Sequence, residues 1–208
     1  MIFPEIIACI KEAVKHFDEI PEERKQILAK ISRYIAEKIK AGQKAKLLYI
    51  CTHNSRRSHF GQIWAGTAAA YFGLENVQTY SGGTEVTAFN THAIRAAEKA
   101  GFKIDPDGTF ENPVYNVKYQ DNGDSILCFS KKYDHVANPQ EGFCAIMTCT
   151  EADGACPFIP GAHARISTPY NDPKAFDNTF GQDAKYNERC FQIGTETLYT
   201  FSLVKHLL

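Results

Sequence analysis

Over residues 4 to 42 the apolar positions recur at helical spacing. Ile6, Ile7, Ile10, Ala13, Val14 and Phe17 form one stripe, and Ile27, Leu28, Ile31, Ile35 and Ile39 form a second. Pro4 suits an opening turn, Pro21 stands at the start of the second stripe and Gly42 marks its stop. The pattern predicts a helical hairpin whose polar faces carry Glu12, Lys15, Glu23, Lys25 and Lys38. No catalytic constellation lies on it, so packing or dimerisation is its expected role. Residues 1–44 are read as an N-terminal helical extension and residues 45–208 as the functional domain.

From residue 46 the pattern alternates between strand and helix. A short apolar run at 46–50 breaks into a polar loop, after which Ile63, Trp64, Ala68 and Tyr71 mark a helix over 62–73. A second strand is predicted at 77–81, followed by Gly82 and Gly83, then a helix at 91–100 stopped by Gly101. Further strands are expected at 125–129 and 143–148, and a closing helix at 183–206. Such alternation predicts an α/β fold, with a parallel sheet covered by helices on both faces.

Composition narrows the function classes. The 208 residues carry 23 Lys and Arg against 24 Asp and Glu, a net charge of -1, so there is no global basic field for nucleic acid. The longest apolar runs fall short of the roughly 18–20 residues of a spanning helix, so no membrane role is expected. Glu5 and Lys11 interrupt the N-terminus where a signal peptide has an apolar core, and a cytoplasmic location is expected. The seven cysteines are scattered and odd in number, which fits a reducing compartment better than a disulfide scaffold. No C-x-x-C spacing occurs, so no metal site is expected. Cys9, Cys128, Cys144 and Cys190 lie in apolar helical or strand runs and read as core.

The segment Cys51-Thr52-His53-Asn54-Ser55-Arg56-Arg57-Ser58 stands apart. It places a cysteine at the carboxyl end of a predicted strand, six positions before an arginine and seven before a serine. A loop that wraps a tetrahedral oxyanion and feeds a helix N-terminus points its N–H groups inward, and the helix dipole adds positive potential. The same field favours a thiolate, the nucleophilic form of cysteine. His53, Asn54, Ser55, Arg56, Arg57 and Ser58 are therefore expected to bind an oxyanion, with the planar fork of Arg57 clamping two oxygens and Ser58 donating to the thiolate. The plain alternative is a buried cysteine beside a solvated arginine pair. Its position between strand and helix, where open α/β sheets bind ligands, favours the functional reading.

This C-x5-R-S string after the first strand resembles the phosphate loop of the low-molecular-weight protein tyrosine phosphatase superfamily, over about residues 46–206. The resemblance implies a four-stranded parallel sheet with flanking helices, a cysteine nucleophile at Cys51 and a general-acid aspartate on a later loop. Asp172, in Tyr170-Asn171-Asp172-Pro173, is the position that matches; without the resemblance it reads as a turn residue. Lys174 follows the proline where phosphatase members usually carry tyrosine, which tilts away from phosphotyrosine.

A second constellation, Cys149-Thr150-Glu151-Ala152-Asp153-Gly154-Ala155-Cys156, separates two cysteines by six small or polar residues after a predicted strand. This spacing looks like the thioredoxin-coupled arsenate reductase branch of the same superfamily, and 80–85 and 90–94 add to the likeness. The resemblance implies that Cys51 attacks arsenate held by the loop and Arg57, that Cys149 then attacks Cys51, and that Cys156 closes a Cys149–Cys156 disulfide. Thioredoxin or another thiol donor would supply the electrons, with no bound cofactor. Arsenate reductase is thus the leading expectation. The alternative is a phosphomonoesterase of the low-molecular-weight phosphatase type that uses a cysteinyl-phosphate intermediate. A non-catalytic oxyanion-binding module is a third reading.

Overall fold

The computed structural model describes residues 1–108, 111–123, 125–156 and 158–208. Its centre is a four-stranded parallel sheet of β1 (Ala45–Cys51), β2 (Val77–Gly83), β6 (Phe143–Met147) and β7 (Ala162–Ser167), in the order β2-β1-β6-β7. Side chains alternate across the buried central strand. Leu47 and Tyr49 face a large core with α2 (Glu22–Lys40), α3 (Arg57–Phe72) and α6 (Gln182–Leu207), whereas Leu48 and Ile50 face a smaller one with Met147 and Ala152 of α5 (Thr150–Ala155). Helices therefore cover both faces, as the alternating pattern predicts.

One expected strand lies elsewhere. The run at 125–129 forms β5 (Ile126–Cys128) of a separate antiparallel sheet, with β3 (Lys103–Asp107) and β4 (Val114–Lys118). The fourth place in the parallel sheet goes to β7, an edge strand whose sequence, AHARIS, carries too little apolar surface to signal a strand. Helix α3 begins at Arg57, five residues before its apolar pattern starts, because it opens directly out of the polar loop.

The N-terminal hairpin consists of α1 (Pro4–Lys15) and α2, joined through a 3-10 turn at Phe17–Glu19. Its apolar stripes are covered within the chain: Ile6, Ile10, Leu28, Ile31 and Ile35 are buried in the large core. Ser32 Oγ on α2 donates to the Thr200 carbonyl of α6 at 2.8 Å. No helix among the described residues is long and apolar enough to cross a membrane.

The approach of α3 and α6 depends on a glycine. A Cβ built on Gly194 of α6 would lie 2.7 Å from the indole of Trp64, which is fully buried and has nowhere to retreat. Gly194→Ala is expected to destabilise the fold by about 1–3 kcal/mol through overpacking, measured by urea unfolding with unchanged m-value.

Candidate active site

The loop from Cys51 to Arg57 is shaped by what holds its carbonyls. The Cys51 carbonyl accepts from Thr84 N at 3.2 Å, that of Thr52 from Glu85 N at 2.8 Å, and that of Ser55 from Asn90 N at 3.0 Å. The His53 carbonyl takes the Ser130 and Thr87 hydroxyls at 2.8 and 3.2 Å. No backbone or side-chain acceptor among the described residues takes an N–H from residues 52–56. With the carbonyls tied outward, this run of free donors lies at the N-terminus of the 16-residue α3, the arrangement that binds anions. Gly83 permits it: a Cβ there would lie 2.6 Å from the Thr52 carbonyl oxygen and 2.7 Å from Asn54 N.

Asn54 adopts a left-handed backbone conformation (φ 43°) and is completely buried. Its Oδ1 accepts from Lys131 N at 2.9 Å and its Nδ2 donates to Ser58 Oγ at 2.9 Å, so its side chain pins the loop at the turn. Ser58 Oγ in turn lies 3.1 Å from Cys51 Sγ, the contact expected of a hydroxyl that supports a thiolate. Behind it His59 is wholly buried, with Nδ1 3.2 Å from Ser81 Oγ. Burial, and then the nearby Lys131 ammonium, push its pKa well below the ordinary histidine value, so the ring is neutral and structural at neutral pH.

The structure brings Arg57 and Asp172 together. Arg57 Nη2 donates to Asp172 Oδ2 at 2.6 Å and Nη1 donates to the Tyr170 carbonyl at 2.8 Å, while Glu151 Oε2 stands 3.9 Å from Nη1. Asp172 also accepts from Lys174 N at 3.0 Å, capping a 3-10 turn at Pro173–Phe176. Arg56 makes different contacts from its neighbour: its Nε donates to the Tyr186 hydroxyl at 2.8 Å and its guanidinium lies 3.8–3.9 Å from Asp177 and Asp172. It thus braces the loop that carries Asp172 against α6. His53 sits at the rim, with Nε2 3.3 Å from Glu85, and Ser55 Oγ donates to the Ala88 carbonyl at 2.6 Å.

The cysteine pair does not fit the expected relay. All seven cysteines are free thiols. Cys149 is the N-cap of α5 and Cys156 its C-cap. Seven residues of helical rise hold their backbones about 10 Å apart, beyond the roughly 7 Å that a disulfide can span. Cys149 lies close to the loop, with Sγ 3.4 Å from Thr52 Oγ1, yet its Sγ also accepts from Ala152 N and burial raises its pKa, against the thiolate a relay needs. The expected redox-active disulfide is therefore absent, and the thiol-relay reading is withdrawn. No sequence signal marks Tyr170 or Glu151 as neighbours of Arg57: one contributes a main-chain carbonyl and the other a surface carboxylate. Among the described residues no group of three or more His, Cys, Asp or Glu is placed to hold a metal ion.

A four-stranded parallel sheet flanked by helices, with a polar loop joining β1 to α3, matches the architecture of the low-molecular-weight phosphatase fold. Comparison with solved structures bears out that fold class. A low molecular weight phosphotyrosine phosphatase from Vibrio cholerae O395 superposes with a TM-score of 0.52 and 13% identity, over 74% of this chain and 93% of its own. YwlE of Bacillus subtilis superposes with a TM-score of 0.52 and 12% identity, over 78% of this chain and 99% of its own; one such structure is described as an arginine phosphatase mutant with a phosphorylated active-site serine. A low molecular weight protein tyrosine phosphatase from T. tengcongensis gives a TM-score of 0.52 at 10% identity, over 77% and 99% of the two chains. At these identities the likeness is one of fold. These matches at a TM-score of 0.52 are to phosphatase structures and YwlE, so the expected closest kinship with arsenate reductases is corrected. No family model matches the sequence, and no curated protein does.

Proposed function

We propose that this chain is a phosphomonoesterase working through a cysteinyl-phosphate intermediate. The observation that carries the reading is the convergence of Cys51, the unpaired amides of the loop, Arg57 and Asp172 at the carboxyl end of β1. The loop amides and Arg57 hold the three non-bridging oxygens. A phosphate dianion on Arg57 takes the place of the Asp172 carboxylate, which then faces the leaving group.

The Cys51 thiolate attacks phosphorus, the S–P bond forms, the ester P–O bond breaks, and Asp172 gives its proton to the departing oxygen. A water then attacks phosphorus, Asp172 takes its proton, and the S–P bond breaks to release inorganic phosphate and the thiolate. The Ser58 hydroxyl steadies the thiolate at both ends of the cycle. No electron changes hands, so the reaction needs no thioredoxin-like reductant, although a nucleophilic cysteine does need a reducing, cytoplasm-like compartment to remain a thiolate. On this reading residues 45–208 are the catalytic unit and residues 1–44 its extension.

The test is hydrolysis of an aryl phosphate, with inorganic phosphate as competitive inhibitor. Asp172→Asn is expected to lower kcat/KM, which reports the step in which the ester bond breaks, by about 10²-fold on phenyl phosphate, and less on p-nitrophenyl phosphate, whose leaving group needs little protonation. Equal losses on the two substrates would contradict Asp172 as the acid.

A further inference from the structure

The N-terminal hairpin lies outside the region that resembles the phosphatases, yet one of its side chains reaches the loop that carries Asp172. Arg24, in the first turn of α2, is mostly buried. Its Nε donates to Glu196 Oε2 of α6 at 2.8 Å and its Nη2 approaches the Pro169 carbonyl at 3.4 Å. Its guanidinium stacks over the Tyr170 ring, 4.6 Å from the centroid. Tyr170 closes the circuit, because its hydroxyl donates to the same Glu196 Oε2 at 2.7 Å. Pro169 and Tyr170 are thus gripped from the side away from the catalytic loop. On the opposite side, the Tyr170 carbonyl accepts from Arg57 and Asp172 follows two residues later.

We propose that Arg24 is a positioning residue for the general acid, and that through it the N-terminal hairpin is a working part of the catalytic site. The inference rests on Asp172 being the acid of the proposed phosphatase reaction. Several features support a positioning role over a merely cohesive one. Glu196 is 5% exposed and Tyr170 8% exposed, so the cluster is shielded from solvent and its geometry is tightly held. Arg24 touches both the backbone and the ring of the loop with a single rigid plane, which fixes the direction of the segment as well as its distance. Loss of that plane leaves Tyr170 tied to α6 through its hydroxyl and Asp177 through Tyr186, and removes the contact that fixes the direction of Pro169 and Tyr170 between them. A general acid misplaced by about 1 Å costs up to about 10²-fold in rate.

The proposal predicts a leaving-group signature. Arg24→Ala is expected to lower kcat/KM, which reports the phosphoryl-transfer step alone, by about tenfold or more on phenyl phosphate and to leave it close to wild type on dinitrophenyl phosphate, because only the first needs a well-aimed proton. Competitive inhibition by inorganic phosphate is expected to hold, since the loop amides and Arg57 are untouched. Arg24→Lys keeps a cation beside Glu196 but loses the stacked plane and the second donor; it should fall between wild type and Arg24→Ala on phenyl phosphate. It also carries the comparison in a variant without an uncompensated buried carboxylate. Circular dichroism confirms the folded fraction of each variant.

Equal losses on the two substrates, or no loss on either, would overturn the proposal, because a fold-wide effect cannot discriminate leaving groups. Asp172→Asn is measured alongside. Should it show no leaving-group dependence, the acid assignment itself fails and the inference with it. Should it show the dependence while the Arg24 variants do not, the phosphatase reading stands and the positioning role alone is overturned.

Discussion

Replacing Cys51 by serine is expected to lower kcat for aryl phosphate hydrolysis by about 10⁴-fold or more, the scale on which hydrolases respond to losing a nucleophile. Phosphate binding should survive. On the proposed mechanism the oxyanion contacts come from the amides of residues 52–56 and from Arg57, none of which involves the Cys51 sulfur. Ser58, 3.1 Å from Sγ, can hydrogen-bond an oxygen there as it does the sulfur. Removing the negative thiolate also removes its repulsion of an incoming dianion, so the variant should bind inorganic phosphate at least as tightly as wild type by calorimetry. A separation of this kind, with chemistry lost and binding kept, distinguishes a nucleophile from a residue that shapes the loop.

Arg57→Ala is expected to cost about 10³-fold in kcat/KM, comparable to the loss of a major donor to a transition-state oxyanion. Two effects combine. On the proposed mechanism the guanidinium, 4% exposed, presents its fork to two equatorial oxygens whose charge grows in the transition state. It also links the Tyr170 carbonyl and the Asp172 carboxylate, so its removal loosens the acid loop. Arg57→Lys should recover little of the loss, because an ammonium offers a point charge without the fork. Unlike Cys51→Ser, both variants should weaken phosphate binding, which steady-state inhibition by inorganic phosphate would measure.

The parts of this site that lie close together in the chain were legible, and the parts assembled by the fold were not. Eight consecutive residues hold the proposed nucleophile, the arginine and the serine that lies against its sulfur, because a loop that is to wrap one anion is a continuous stretch of chain. Asp172 is 115 residues from Arg57, and by itself is one more aspartate before a proline. Only the resemblance singled it out. Arg24 and Glu196, 172 residues apart, meet because α2 and α6 pack side by side, and no local pattern announces that contact. The parallel sheet was legible from its buried central strands, whose apolar runs are unmistakable. Its β7 edge was not, since an edge strand needs fewer apolar residues and this one has little beyond Ile166 in its favour. Cys149 and Cys156 misled for a related reason: sequence spacing suggested a pair, while the intervening helix separates them.

The measurement that tests the central claim most directly is rapid acid quenching of the protein during turnover of an aryl phosphate, followed by mass spectrometry of its peptides. Acid traps a thiophosphate ester that hydrolyses quickly at neutral pH. The account predicts the added mass of one phosphoryl group on the peptide containing Cys51 in wild type, greater accumulation in Asp172→Asn, where no acid–base group assists hydrolysis of the intermediate, and none in Cys51→Ser. Turnover with no phosphoryl group on Cys51, or with the group on another residue, would contradict it.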